Sequence, residues 1–176
     1  MSRAARVFAN LFLLALLAYA ALAIRERFRL PPPEPLAGRI DRILIEKADR
    51  RLTVFRDGAP LKSYRVALGF APEGDKARQG DGRTPEGLFR IDRRNARSAF
   101  NLSLGIDYPQ PDDIARARAG GYAPGGDIFI HGQPNGYDAV PTLRYDWTEG
   151  CIALADAEIE ELWRVTPLGT EVEIRP

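Results

Sequence analysis

One cysteine and one histidine, Cys151 and His131, stand twenty positions apart in this chain, each beside a glycine. Ile128-Phe129-Ile130-His131-Gly132 puts the imidazole at the end of an apolar strand. Thr148-Glu149-Gly150-Cys151-Ile152 puts the thiol directly after a glycine. Cysteine attack on an amide requires a thiolate, a base that takes and returns the proton, and N–H donors for the tetrahedral oxyanion. His131 suits the second task, because imidazole titrates near pH ~6.5. As an imidazolium it would also lower the thiol from its ordinary ~8.5. The backbone N–H groups of Gly150 and Cys151 are the candidate oxyanion donors. Taken alone, a lone cysteine is usually a small buried hydrophobe and a lone histidine a structural residue, so the pair needs context. Zinc is poorly served, since a structural site takes about four protein ligands and a catalytic one about three. No metal and no cofactor is expected.

The elements around the pair are mostly strands. Ile43-Leu44-Ile45, Leu52-Thr53-Val54-Phe55 and Tyr64-Arg65-Val66-Ala67-Leu68 are apolar runs, and Asp57-Gly58 joins the second and third as a hairpin. Gly69 to Gly87 is a long loop rich in glycine and charge. Leu88–Ile91 returns to strand, and Phe100–Ile106 is a further strand in which Leu102, Leu104 and Ile106 alternate with small or polar residues. Asp112 or Asp113 caps a short helix that runs to Gly120-Gly121. A second helix starts with Asp156 as N-cap and carries Ile159, Leu162 and Trp163 at helical spacing. Its Glu158, Glu160 and Glu161 read as a solvated face. Glu171–Ile174 closes as a strand. The fold class expected is mainly β with one or two short helices, a single domain over residues 40–176.

Ahead of that domain, Val7–Ile24 is an uncharged stretch of 18 residues preceded by Arg3 and Arg6. At ~1.5 Å per residue it matches a bilayer core. Residues 1–30 are therefore expected to be an uncleaved anchor, or else a removed signal segment. Residues 31–39, with Pro31-Pro32-Pro33 and Pro35, form a stiff linker. The domain is then exported, where a thiol without a partner is a liability unless it does chemistry. Residues 1–30 hold five arginines and one glutamate, and the remainder carries 20 basic against 23 acidic residues. A mildly acidic domain lacks the basic face that a phosphate backbone requires, so no nucleic acid partner is expected.

These segments resemble the L,D-transpeptidase catalytic domain, the YkuD-type family. Its signature is a histidine followed some fifteen to twenty residues later by Ser/Thr-x-Gly-Cys-hydrophobic. Here that reads His131-Gly132 … Thr148-Glu149-Gly150-Cys151-Ile152. Lys47–Phe55 resembles the family's opening hairpin, Tyr64–Gly69 the strand after it, and Gly80-Asp81-Gly82-Arg83-Thr84-Pro85-Glu86-Gly87 its Gly-Asp-x-x-Thr-Pro-x-Gly segment. That last loop lacks the Gly-Lys-Ser/Thr ending of a phosphate loop.

The resemblance implies a family-specific β-rich fold and acyl transfer on peptidoglycan stem peptides, in cell-wall biosynthesis or the control of cell shape. Cys151 would form a thioester with the third residue, a diaminopimelate, of a tetrapeptide donor as D-alanine leaves. His131 would be base and acid, oriented by the Gly132 carbonyl, with no acidic third member. Asp127, Asp138 and Asp146 then read as turn or surface residues. Thr148, Trp147 and Tyr145 are the candidate substrate-binding residues. An amine, including that of a wall-attached lipoprotein, or water would resolve the thioester. Where the family usually has Asn or Arg after the hydrophobic residue, this chain has Ala153. The surrounding stretch resembles a YafK-like branch that includes hydrolases releasing a lipoprotein from peptidoglycan. A periplasmic enzyme anchored to the inner membrane is expected. The other reading is a wall-binding module without chemistry.

Overall fold

The computed structural model describes residues 3–27, 34–137 and 141–176, with the side chains of residues 3–9, 25 and 26 outside the description. Asp138 and the start of the proline-rich linker lie outside it. The chain divides into two compact units, Met1–Glu34 and Pro35–Pro176.

The first unit contains helix α1, Arg3–Arg27. Leu11, Phe12, Leu14, Leu17, Leu22 and Ile24 on it are all exposed. Among the described residues no helix is long and apolar enough to cross a membrane. Val7, Phe8 and Ala9, part of the expected anchor, are outside the described side chains.

In the second unit the strands are β1 (Arg42–Glu46), β2 (Arg51–Arg56), β3 (Ala59–Arg65), β4 (Gly87–Asn95), β5 (Ser103–Ile106), β6 (Phe129–His131), β7 (Ile152–Ala153) and β8 (Glu171–Arg175). The helices are α2 (Pro111–Ala119) and α3 (Asp156–Val165). The strands form one eight-stranded sheet in the order β3-β2-β1-β8-β4-β5-β6-β7. The unit is thus mainly β with two short helices, as the residue pattern predicts. The hairpin turns at Asp57-Gly58, where both residues adopt positive φ (51° and 76°), as a two-residue connection of right-twisted strands demands. The last strand in the chain, β8, pairs in parallel with β1, Ile43 opposite Val172, and antiparallel with β4. It thereby joins the two halves of the sheet, whose core includes Ile43, Ile45, Leu52, Ile130, Ile152 and Leu162.

Four local expectations are corrected. The strand after Phe100 covers only β5, and all four of its residues are buried, so it does not alternate; it lies mid-sheet with both faces covered. Helix α2 is capped at Gln110, with Pro111 as its first residue. Asp113 instead accepts the Gln110 N–H at 2.9 Å. Helix α3 is capped at Ala155, whose N–H donates to Glu158 at 2.9 Å, while Asp156 is the first helical residue. Glu161 is not solvated: it is 6% exposed and receives Lys62 Nζ and Tyr64 Oη, each at 2.7 Å, and the Leu36 N–H at 2.7 Å. The buried carboxylate ties α3 to β3 and to the start of the unit.

Candidate active site

His131 ends β6, and the residues after Cys151 form β7, which runs parallel to β6 with Ile130 opposite Ile152 and His131 opposite Ala153. The cysteine loop is held from a second side by the segment after β3. Ala67 and Ala153 exchange N–H···O bonds at 2.9 and 2.8 Å, and Thr148 N–H donates to Leu68 at 3.1 Å while Phe70 N–H donates to Thr148 at 2.9 Å. Asp146 fixes the entry to the loop. Its carboxylate accepts the Leu68 N–H at 2.9 Å and Arg50 at 2.8 Å. This surface-type aspartate is therefore structural support for the loop.

The Gly80–Gly87 segment lies beneath the same loop. Gly150 sits at φ +124°, and a Cβ there would come within 2.5 Å of the Arg83 carbonyl oxygen. A Cβ on Gly69 would meet the Gly82 carbonyl oxygen and stand 3.0 Å from Gly150 Cα. Three backbone segments touch at this point, and only glycines allow it. Asp81 braces the underlying loop: its carboxylate accepts Lys76 Nζ at 2.8 Å and the N–H groups of Ala77, Arg78 and Arg83 at 2.8, 2.9 and 3.1 Å.

His131 and Cys151 line one cavity of about 610 Å³, together with Lys76, Phe100, Ile128, Trp147 and Glu149. His131 Nδ1 lies 2.7 Å from the Gly132 carbonyl oxygen. That oxygen only accepts, so Nδ1 carries the proton and Nε2 is left with a free lone pair. Phe100 packs on the imidazole at 4.6 Å between ring centroids, and Trp147 meets it edge-on at 5.7 Å. Cys151 Sγ accepts the Phe129 N–H at 3.4 Å and lies 3.5 Å from the Asp127 carbonyl oxygen. Among the described hydrogen bonds none joins Sγ to the imidazole, and catalytic hydrogen bonds of this kind commonly tighten only in the substrate complex.

Burial lowers the His131 pKa below 6.5, with the Gly132 carbonyl partly opposing. Burial raises the Cys151 thiol above 9.0, with the Phe129 N–H partly opposing. Desolvation thus works against both charged forms, the imidazolium and the thiolate alike.

Two roles read from the sequence meet different surroundings. The Gly150 N–H already donates to Thr148 Oγ1 at 3.1 Å, and that hydroxyl donates to the Cys151 carbonyl oxygen at 2.7 Å. Gly150 is therefore not a free oxyanion donor, whereas the Cys151 N–H has no acceptor among the described residues. Thr148 is 4% exposed and its hydroxyl is engaged in this turn, so it shapes the loop from within the cavity wall that it helps to line. Trp147 lines the cavity, but Tyr145 is 65% exposed and is not in its lining. Residue reasoning missed Phe100, whose apolar type looks like any core residue, and Lys76, whose loop carries no regular pattern. Among the described residues no group of three or more His, Cys, Asp or Glu is placed to hold a metal ion.

Comparison with known proteins places this geometry. The family model for YkuD, the L,D-transpeptidase catalytic domain, matches residues 40–174. YafK of Escherichia coli (strain K12), named as a candidate L,D-transpeptidase, is 28% identical over 106 residues, covering 59% of this chain and 36% of YafK. The helical cell shape determining protein Pgp2 from Campylobacter jejuni superposes with a TM-score of 0.61 at 26% identity, over 78% of this chain and 48% of that one. An L,D-transpeptidase from Xylanimonas cellulosilytica shares the fold, with a TM-score of 0.53 at 17% identity over 82% of this chain and 65% of that one. The chain thus spans about a third of the curated relative it matches and about half of Pgp2.

Proposed function

Because the chain belongs to the L,D-transpeptidase catalytic-domain family, we propose that it transfers acyl groups of peptidoglycan stem peptides through a thioester on Cys151. The observation that carries this reading is the placement of Cys151 and a Gly132-oriented His131 on the wall of one cavity. In the forward step His131 Nε2 takes the thiol proton and Sγ attacks the carbonyl carbon of the donor's third residue, a diaminopimelate. The Cys151 N–H receives the developing oxyanion. His131 returns the proton to the departing D-alanine nitrogen, leaving the thioester. An incoming amine then loses its proton to His131 and attacks the thioester, forming the new amide and releasing the thiol.

Incubation with a defined tetrapeptide muropeptide, followed by mass spectrometry, tests the assignment. Crosslinked dimers or exchange of the terminal D-amino acid support transfer. Failure to form any cysteine-linked acyl adduct would falsify it and favour a wall-binding module.

A second reading keeps the thioester and lets water resolve it, releasing tripeptide or a wall-attached lipoprotein. It is supported by the partial identity to YafK and by Ala153, a buried apolar residue where the family usually has Asn or Arg. Exclusive release of tripeptide or free lipoprotein in the same assay selects it.

We place the enzyme in the periplasm at the inner membrane, with residues 7–24 as the tether and residues 31–39 as the spacer to the catalytic domain. The uncharged run of Val7–Ile24 and the exposed apolar side chains of α1 support this placement.

A further inference from the structure

The charges on the cavity wall are unequal in how they are used. Lys76, 3% exposed at its side chain, is committed to Asp81 at 2.8 Å. The Asp127 carboxylate stands in solvent and meets Arg93 at 3.2 Å. Glu149 is exposed, lines the cavity, and its carboxylate takes no protein partner among the described residues. It is also two positions from Cys151, on the turn that Thr148 and Gly150 hold rigid.

We propose that Glu149 is a specificity residue that reads a free ammonium on the side chain of the donor's third residue. This rests on the functional reading above. A diamino acid at the scissile position carries its second amine about five bonds from the Cα, a reach of roughly 6 Å once the tetrahedral zigzag shortens each ~1.5 Å bond to about 1.25 Å along the chain. An ammonium at that distance from the attacked carbonyl falls within reach of a carboxylate presented two residues from the nucleophile. The amine is a spectator in the acylation step and keeps its proton throughout. Stems already crosslinked through that amine have lost the positive charge. Glu149 therefore favours uncrosslinked stems as donors, and the wall's own crosslinking state enters the choice of substrate.

The experiment compares two tetrapeptide donors, one with the side-chain amine free and one with it acetylated. The readout is the rate of Cys151 acylation by intact mass on the full chain. The wild-type protein acylates faster with the free amine by about two- to fivefold, the size of an exposed ion pair, and the ratio shrinks at high salt. Glu149→Gln brings the ratio to about one, and Glu149→Lys inverts it. Iodoacetamide alkylation of each variant corrects for the change in thiol reactivity that follows removal of a nearby carboxylate. Equal wild-type rates on the two donors, or a preference that survives in Glu149→Gln, overturns the proposal. Absence of a thioester with either donor overturns the functional reading, and this inference with it.

Discussion

Cys151 Sγ receives one N–H and faces the Asp127 carbonyl oxygen at 3.5 Å, an acceptor that holds the sulfur's own proton in place. With both charged forms desolvated, the expected resting state is a neutral thiol beside a neutral imidazole. The His131 pKa is depressed below 6.5, so the base form persists into mildly acidic solution and the acid limb of acyl transfer lies below that value. The thiol is raised above 9.0, so alkylation of Cys151 by iodoacetamide rises in one step with a midpoint above it. A plateau of alkylation between about pH 4 and 7, the mark of a thiolate–imidazolium pair, would refute the neutral pair. His131→Ala removes the base and lowers acylation by about 10²- to 10⁴-fold, with the circular dichroism spectrum unchanged. Thr148 acts one step back. Thr148→Val leaves the buried Gly150 N–H unpaired, at a cost of about 1–3 kcal/mol in stability. Donor acylation slows more than small-reagent alkylation does, because the turn that aims Cys151 loosens. Thr148→Ser restores both, and a valine variant with wild-type acylation kinetics would remove Thr148 from the site.

At the scale of elements, the loop from Lys76 to Gly87 supports the cysteine turn from below through the Asp81 knot. Burial alone would raise the Asp81 carboxyl, but the Arg78 N–H, Lys76 and two further N–H donors hold it down to about 2 against an ordinary 3.8. The bound form is the ionised one, so this stabilisation is complete above pH 3.8 and is lost as the pH falls toward about 2. At neutral pH it is worth up to about 2 kcal/mol. Asp81→Asn therefore unfolds more easily in urea by about that amount at pH 7, and the gap to the wild type closes in acid. A gap independent of pH would place the stability elsewhere.

The same loop shows what a sequence reveals and what it hides. Gly80–Gly87 resembles a family motif, and its Gly82 and Arg83 carbonyls press on Gly69 and Gly150, where a Cβ would clash; such contacts restrict residue type. Asp57-Gly58 and the strand ending in His131 were legible for the same reason, since local conformation and period depend on neighbours in the chain. Glu161, Asp156 and Thr148 were not. Lys62 and Tyr64 stand 99 and 97 positions from Glu161, and no local rule states that a glutamate on an acidic helix will be buried by a distant strand. Thr148 was identified by position, yet its hydroxyl turns inward to the loop's own backbone.

For the whole molecule, the division at Glu34–Pro35 separates two physical problems. The unit from Pro35 onward holds the complete β-sheet, and its first residues are fastened by the Leu36 N–H to Glu161 at 2.7 Å. Its stability therefore resides within it. The first unit exposes Leu11, Phe12, Leu14, Leu17 and Leu22 on one helix, apolar surface whose removal from water is favourable by about 25 cal/mol per Å², which supports the proposed membrane tether. A chain beginning at Pro35 should melt within about 2 °C of the full chain's catalytic domain, no more than the loss of about 1 kcal/mol produces in a domain of this size, and acylate at the same rate. Only the full chain should float with phosphatidylethanolamine–phosphatidylglycerol vesicles on a density gradient. Flotation of the shortened chain would move the membrane contact onto the catalytic unit, and a collapse of its melting transition would show that the first unit contributes to the fold.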